Sequence, residues 1–174
     1  MTEATRQLRS STQPVAARPP SSAPWWVRAP GPLFNAALRL GLPAGPNRLV
    51  TIRGRRSGLP RTLAIAVSQI GGRRYVIGAY GDVQWVRNLR AAGEALVRER
   101  GHDVPMTAHE LDHDEAVEFF GARLPAYIAR FPWFGRAFAR VLFGLVGPEV
   151  LADPELAART RPVFELAPAF TRED

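Results

Sequence analysis

Apolar and polar side chains alternate between residues 48 and 79 with a period of two, the pattern of β-strands. Glycine-containing turns divide this stretch into three runs. The predicted strands are Arg48–Arg53, Arg61–Gln69 and Arg73–Ala79, joined by turns at Gly54–Gly58 and Gly71–Gly72. Because short turns join antiparallel neighbours, the sequence predicts a three-stranded meander.

The period then changes to that of an amphipathic helix. Val83, Val86 and Leu89 form its apolar stripe. Asp82 is the predicted N-cap of this helix, and Gly93 is expected to end it. Arg87 and Arg90 lie toward its C-terminal end, where the helix dipole favours cations.

The second half of the chain predicts further strands, several helices and a closing strand. The expected elements are strands at Glu94–Arg100 and Asp103–Leu111, a helix from Asp112 to about Arg123 with Asp112 and Glu115 as a capping box, helix within Pro125–Val146 interrupted at Pro132, a short helix at Leu151–Thr160, and a strand at Arg161–Ala167. This order predicts an α+β domain rather than a doubly wound sheet.

The N-terminal region differs from the rest in composition. Met1–Pro24 is rich in Ser, Pro and Arg and is predicted to be a disordered tail, so that residues 25–174 form a single domain. Trp25 and Trp26 are interpreted as packing anchors, with contact to a membrane interface as the alternative. Leu33–Leu40 predicts a short amphipathic helix that ends at Gly41.

Composition narrows the chemistry. The 174 residues contain no cysteine, and all 23 basic residues are arginine, so disulfides, thiolate metal sites, Schiff-base lysines and P-loop lysines are excluded. The formal net charge of +7 favours an anionic partner, which is a nucleotide cofactor, a nucleic acid or a membrane surface. No apolar run is long enough to cross a bilayer and no signal peptide is evident, so we expect a cytoplasmic protein.

The segment Gly54–Arg61 concentrates these charges in one turn. Its two glycines allow close backbone approach, and Arg55, Arg56, Ser57 and Arg61 supply hydrogen-bond donors suited to phosphate. The alternative is a hairpin whose arginines face water. Nucleic acid is disfavoured because no aromatic side chains are interleaved with the arginines.

Two motifs in this order resemble the deazaflavin-dependent nitroreductase family of split-barrel flavin and deazaflavin oxidoreductases. The first is Leu49–Arg61, which is similar to the family pattern of a strand followed by Gly-Arg-Lys-Ser/Thr-Gly and Pro-Arg, with Arg56 in place of the lysine. The second is Gly81–Ala91, which resembles the family's Trp-x-x-Asn-Leu-x-Ala helix start.

The resemblance implies an antiparallel split β-barrel with flanking helices and coenzyme F420, a deazaflavin with a phosphate and a glutamyl tail, as cofactor; FMN is the second choice. It implies that the turn residues hold the phosphate side, that β-strand and loop residues lie along the ring, and that free amides of the helix start face the cofactor. The implied cofactor-binding residues are Arg55, Arg56, Ser57, Arg61, Leu63, Ala64, Gly78, Ala79, Tyr80, Gln84, Trp85, Val86 and Asn88.

The implied activity is hydride transfer from reduced deazaflavin to an electron-poor acceptor such as a quinone, an enone or a nitro compound. No catalytic side chain is assigned, although Tyr80 and Tyr127 are considered as proton or hydrogen-bond donors, with packing roles favoured for both. The alternative is a non-catalytic split-barrel protein that binds FMN, haem, fatty acid or the deazaflavin.

Two further motifs invite other functions. His109-Glu110-Leu111-Asp112-His113 matches the zinc-protease pattern, but the predicted boundary between strand and helix at Asp112 separates the histidines, so no metal site is predicted. The helix between Arg130 and Val146 mixes several aromatic residues with Arg136 and Arg140. Packing on the barrel is favoured for it, and a membrane-surface helix or a lid over the substrate pocket are the alternatives.

Overall fold

The fold is known from a computed structural model that describes residues 46–169, without the side chains of residues 145 and 146. The predicted tail, the tryptophans at 25 and 26, and the helix predicted at Leu33–Leu40 lie outside the described residues. No helix among the described residues is long and apolar enough to cross a membrane.

Six antiparallel strands close into a barrel. Their order around the barrel is β1-β2-β3-β6-β5-β4. The strands are β1 (Asn47–Arg53), β2 (Pro60–Ile70), β3 (Arg73–Ile77), β4 (Glu94–Glu99), β5 (His102–Glu110) and β6 (Val163–Pro168). The predicted α+β class, antiparallel barrel, meander and closing strand are confirmed.

Helices follow the first half of the barrel and fill the connection between β5 and β6. They are α1 (Gln84–Ala92), α2 (His113–Glu118), α3 (Leu124–Ala129), α4 (Trp133–Val146), α5 (Glu149–Ala152) and α6 (Pro154–Thr160). A π-helical turn, Phe119–Arg123, joins α2 to α3 without a break. The predicted capping box is present, since Asp112 and Glu115 each accept the other's backbone N–H.

Two predicted details of the helices are wrong. The N-cap of α1 is Val83 rather than Asp82, because the Asp82 carboxylate accepts hydrogen bonds from Arg87 and Arg90 instead of the helix amides. The helix predicted at Leu151–Thr160 is two helices, because Asp153 leaves the helical conformation and caps α6, whose first residue is Pro154.

Side chains on the two faces of the barrel wall form two cores. The interior core is aliphatic and includes Val50, Ile65 and Val97, with α1 contributing Val86 and Leu89. A second core lies between the barrel wall and the C-terminal helices. It includes Tyr75, Phe119, Phe120, Val150 and Val163.

Strand direction assigns each connection to one end of the barrel. β2 begins after the Gly54–Leu59 turn and β3 returns antiparallel to it, so β3 ends near that turn. The pairs Ile77↔Val163 and Glu110↔Phe164 bring the start of β6 and the end of β5 to the same end. We call this the turn end. The hairpins at Gly71–Gly72 and Arg100–Gly101 lie at the opposite end.

Candidate functional site

The arginine turn is a compact loop with its charged side chains outside. Gly54 N–H donates to the Leu59 carbonyl at 2.9 Å, and Gly58 N–H donates to the Gly54 carbonyl at 2.8 Å. A Cβ on Gly54 would lie 2.9 Å from Ser57 Oγ and 3.1 Å from the Leu59 carbonyl oxygen, so only glycine fits this position without a shift. Gly58 has a φ of 68°, which L-residues rarely adopt.

Arg55 joins this turn to helix α1. Its Nη1 donates to Gln84 Oε1 at 3.0 Å and to Asn88 Oδ1 at 2.9 Å. Gln84 and Asn88 are four residues apart, so one face of α1 presents both amide oxygens to the guanidinium group. The two motifs found separately in the sequence therefore form one structural unit.

Three other arginines at the turn end make no ion pair with any residue of the described chain. They are Arg53, Arg56 and Arg61, all exposed. Arg61 passes close to the turn, since its Cγ lies 3.8 Å from the position of a Cβ on Gly54. In contrast, Arg74 and Arg98 on the barrel wall are each paired with a carboxylate. The turn end thus carries positive charge that the described chain does not neutralise.

The N-terminus of α1 adds uncapped backbone amides. Val83 has extended backbone and its side chain offers no hydrogen-bond acceptor. The first amides of an α-helix have no partner within the helix, and of these Gln84 is exposed and Trp85 half-buried, whereas Val86 is fully buried. An N-terminus of this kind favours an anion.

Asp82, next to these amides, is neutralised by its own neighbours. Arg87 Nε donates to its carboxylate at 2.9 Å and Arg90 Nη1 at 2.8 Å. Partial burial works against ionisation of the carboxyl group, but the hydrogen bonds and charges of Arg90 and Arg87 outweigh it and lower the pKa of Asp82. The carboxylate is therefore held away from the helix N-terminus by its arginine partners.

The loop that follows β3 is fixed from two sides. Gly78 N–H donates to the Pro162 carbonyl at 2.7 Å, and a Cβ on Gly78 would lie 3.0 Å from Val86 Cγ2. The Ala79 carbonyl accepts a hydrogen bond from the guanidinium group of Arg161. Arg161 is buried and also donates from Nε to Glu149 Oε1 at 2.8 Å.

Tyr80 completes this loop. Its side chain is half-buried and packs against the interior core. Burial raises the pKa of the Tyr80 hydroxyl, and the positive charge of Arg161 opposes this only in part. The hydroxyl is therefore protonated at neutral pH and can donate a hydrogen bond.

The expected site residues divide into those with accessible side chains and those without. Arg56, Arg61 and Ser57 are exposed at the turn, and Ser57 Oγ accepts a hydrogen bond from Leu59 N–H at 3.3 Å. Val86 is completely buried, backbone included, so the structure exposes neither its side chain nor its amide to a ligand. Trp85 is half-buried against the interior core.

Leu63 and Ala64 lie on opposite faces of β2. Leu63 is paired with Val50 and packs against the interior core, whereas Ala64 is paired with Leu49 on the outer face. Both side chains are half-buried. A ring lying along one face of β2 can therefore contact only one of these two side chains.

Sequence reasoning missed Arg53, Glu149 and Arg161. Arg53 immediately precedes the turn and has no ion pair within the described chain, so its position beside Gly54–Arg61 was a usable signal. The pairing of Arg161 with Glu149 has no comparable signal, because it depends on how α5 packs beside β6.

Tyr127, considered with Tyr80 as a donor, lies elsewhere. Its ring contacts Phe131 at a centroid distance of 4.9 Å. It lines a pocket of about 330 Å³ with Gly71, Arg73 and Arg130, beside the hairpin at the end of the barrel opposite the turn end. A shared role for the two tyrosines at one site is therefore not supported by their positions.

The two histidines of the zinc-protease pattern lie in different elements, as predicted. His109 is in β5 and His113 is the first residue of α2. Their nearest carboxylates also differ: Glu115 at 3.5 Å from His109 Nε2, and Glu155 at 3.1 Å from His113 Nε2. Within residues 46–169, no group of three side chains is arranged to hold a metal ion.

The arginine turn, the uncapped start of α1 and the Gly78–Tyr80 loop gather at one end of a small antiparallel barrel. This defines a small antiparallel barrel protein with exposed arginines and a helix N-terminus at one end, a candidate site for an anionic ligand. A family model described as F420H(2)-dependent quinone reductase matches residues 34–135, which is more than half of the chain. The chain belongs to the F420H2-dependent quinone reductase family, and it is an F420-dependent oxidoreductase that acts on a small-molecule acceptor.

Solved structures similar to the chain include an F420-H2 dependent reductase, at 20% identity over 70% of this chain and 94% of that one, with a TM-score of 0.43. Another is described as a domain-swapped dimer, at 20% identity over 82% of this chain and 97% of that one, with a TM-score of 0.45. A third is a conserved hypothetical protein from Mycobacterium tuberculosis, at 13% identity over 78% and 80% of the two chains, with a TM-score of 0.41. No curated protein matches the sequence.

Proposed function

We propose that the turn end of the barrel binds coenzyme F420 and that the chain transfers a hydride from the reduced cofactor to a quinone. The observation that carries this proposal is the attachment of the arginine turn to α1 through Arg55. It combines unpaired guanidinium groups and uncapped helix amides, two kinds of anion-binding group, at one place.

The donor set fits the anionic parts of F420. Arg56, Arg61 and the Ser57 hydroxyl would hold the phosphate, because guanidinium groups bind phosphate through paired hydrogen bonds. Arg53 is the candidate for additional contact with the negatively charged tail. Arg55 acts differently from its neighbours. It donates hydrogen bonds to Gln84 and Asn88 and so fixes the position of the turn relative to the helix.

The remaining implied residues would border the ring. They are Leu63 or Ala64 on β2, the loop residues Gly78, Ala79 and Tyr80, and the amides of Gln84 and Trp85. When bound and reduced, F420 supplies the hydride, and the protein supplies binding and orientation. Tyr80 would donate a hydrogen bond to the acceptor oxygen, since a tyrosine hydroxyl is protonated at neutral pH and burial raises the pKa of this one further.

Quinones are the favoured acceptors because the family is defined by quinone reduction. Enones and nitro compounds remain candidates because they too accept a hydride at an electron-poor centre. FMN is a second candidate cofactor, since it also carries a phosphate. A natural quinone acceptor is lipid-soluble, so we also propose that the enzyme works inside the cell in peripheral contact with the membrane.

The proposal is tested by titrating the purified full-length chain with oxidised F420 and, separately, with FMN, while following cofactor fluorescence. Oxidation of reduced F420 by a water-soluble quinone is then followed by absorbance. We expect binding of F420 in preference to FMN, and quinone-dependent turnover. The double variant Arg56→Ala/Arg61→Ala is expected to lose most F420 affinity.

The matched control is Arg98→Ala. Arg98 is half-buried and paired with Asp103 near the opposite end of the barrel, so this variant removes positive charge without touching the turn. Equal loss of affinity in this control and in the turn variant would refute the assigned binding residues. Failure of F420 to bind, or to be oxidised by any quinone, would refute the function itself.

A further inference from the structure

The solvent-facing side of helix α4 is apolar, which is unusual for a surface helix. Large hydrophobic side chains occupy two neighbouring rows of i, i+4 spacing, Trp133–Val141 and Phe134–Phe138–Leu142. All five are exposed, Trp133 by 75% and Phe138 by 68%. Contiguous exposed apolar surface of this kind marks an interaction site.

The opposite side of α4 already serves as its packing face. Ala139 is buried in the second core and Phe143 packs against it. The exposed rows therefore are not a core face left open by a local rotation of the helix. They form a second apolar face on a helix that is already anchored.

Two arginines flank this second face. Arg136 and Arg140 are one turn apart, on the row between the exposed apolar rows and the packing face. Both are exposed, and neither makes an ion pair with any residue between 46 and 169. Exposed aromatic and aliphatic residues edged by basic ones characterise helices that lie in the surface of a membrane.

We propose that α4 docks the protein onto an anionic lipid bilayer, with the two apolar rows inserted at the boundary of headgroups and acyl chains and with Arg136 and Arg140 bound to lipid phosphates. This proposal rests on the proposed function. Docking would serve quinone reduction, since a lipid-soluble quinone must be taken from the membrane.

Charge argues against two other occupants of this face, the chain's own N-terminal segment and a second copy of the chain. Residues 1–45 of the same chain contain five arginines and one acidic residue, so that segment repels Arg136 and Arg140 rather than complementing them. A second copy of α4 would bring the same two arginines into the interface. An anionic lipid surface is the partner that matches both the apolar rows and the positive edge.

The docking helix is also connected to the candidate site. Glu149 is the third residue after Val146, the end of α4, so at most about 11 Å of chain joins them. Glu149 binds Arg161, and Arg161 binds the carbonyl of Ala79 in the loop after β3. Helix α4 is therefore connected, through Glu149 and Arg161, to the loop that borders the proposed cofactor ring.

The test is co-sedimentation of the full chain with vesicles of phosphatidylcholine alone or mixed with phosphatidylglycerol, at low and high salt and without cofactor. We expect binding to the anionic vesicles that weakens at high salt. Arg136→Ala and Arg140→Ala should each lower the partition coefficient about fivefold, the effect of one basic residue at a membrane surface. Phe138→Glu should abolish binding, whereas Arg98→Ala should leave it within twofold of the parent.

A fluorescence measurement identifies what covers the face. The chain has no cysteine, so Phe138→Cys carries an environment-sensitive dye at this position only. A blue shift on adding anionic vesicles supports docking, with Gln69→Cys on exposed β2 surface as the unshifted control. Emission that is already blue-shifted without vesicles at every protein concentration identifies the chain's own N-terminal segment as the occupant. A blue shift that grows with protein concentration identifies self-association. Either result overturns the proposal.

Docking and the proposed function fail separately. All α4 variants are expected to keep F420 affinity and turnover with a water-soluble quinone, because none alters a residue of the candidate site. Loss of vesicle binding with intact turnover supports docking through α4. Absence of vesicle binding in the parent chain overturns docking alone, and absence of F420 binding overturns the function alone.

Discussion

Arg161 is the only fully buried charged side chain among residues 46–169, and its replacement by methionine is expected to be strongly destabilising. Its side chain is 6% exposed, and that of its partner Glu149 is 14% exposed. Arg161→Met leaves the Glu149 carboxylate and the Ala79 carbonyl in the interior without their donor. Stranding one partner of a buried pair costs about 3–5 kcal/mol.

A loss of this size lowers the melting temperature of a 174-residue chain by roughly 6–20 °C, at about 2–4 °C per kcal/mol. Thermal and urea denaturation followed by circular dichroism measure it. F420 affinity should fall as well, at temperatures where the variant is folded, because the Gly78–Tyr80 loop loses the hydrogen bond to Ala79.

The double variant Arg161→Met/Glu149→Leu separates charge from packing. It removes both members of the pair, so no carboxylate is stranded, and we expect it to be more stable than Arg161→Met alone. The Ala79 carbonyl stays unpaired, so part of the loss should remain. A double variant less stable than Arg161→Met, or a loss below about 1 kcal/mol for Arg161→Met, well under the range for a stranded partner, would refute this account of the pair.

Three further outcomes are expected. Arg55→Ala removes two hydrogen bonds to α1 and should reduce the free energy of unfolding by about 1–3 kcal/mol, measured by urea denaturation; an unchanged urea midpoint would mean that the bridge to α1 contributes nothing. Gly78→Ala places a Cβ 3.0 Å from Val86 Cγ2 and 3.1 Å from a carbonyl oxygen, so overpacking should cost about 1–3 kcal/mol in the same assay, and full stability would contradict the close approach. The lowered pKa values of Asp82 and Asp103 predict stability that is complete above about pH 5 and is lost as the pH falls through their depressed values; urea midpoints between about pH 2 and pH 6 measure this, and Asp82→Asn should show a smaller acid loss than the parent.

Much of the fold follows from local sequence. The three-stranded meander was predicted because glycine turns separate runs of period two, and these signals act within a few residues. The capping box at Asp112 and Glu115 was predicted for the same reason, since both partners lie within one helical turn. The boundary it creates also predicted that His109 and His113 would lie in different elements.

The predicted site depends more on tertiary structure. The sequence predicted two anion-binding segments, but only the fold brings Arg55 to Gln84 and Asn88 across about thirty residues of chain. The assigned roles of the individual residues at the turn and along the ring stay predictions. Tyr80 and Tyr127 were both considered as hydrogen-bond donors, but the packing of α3 places Tyr127 beside the Gly71–Gly72 hairpin, at the other end of the barrel.

The sequence by itself determined what short-range forces decide: strand and helix periods, turns, most helix ends, and the concentration of arginine at one turn. Tertiary structure decided which charges are compensated. Asp82 pairs with Arg87 and Arg90 instead of capping α1. Arg161 is buried and connects α5 to the Gly78–Tyr80 loop. The physical reason is that each arginine side chain is long and reaches whichever carboxylate the fold brings near, whereas Arg56 and Arg61 have none among the described residues and stay exposed.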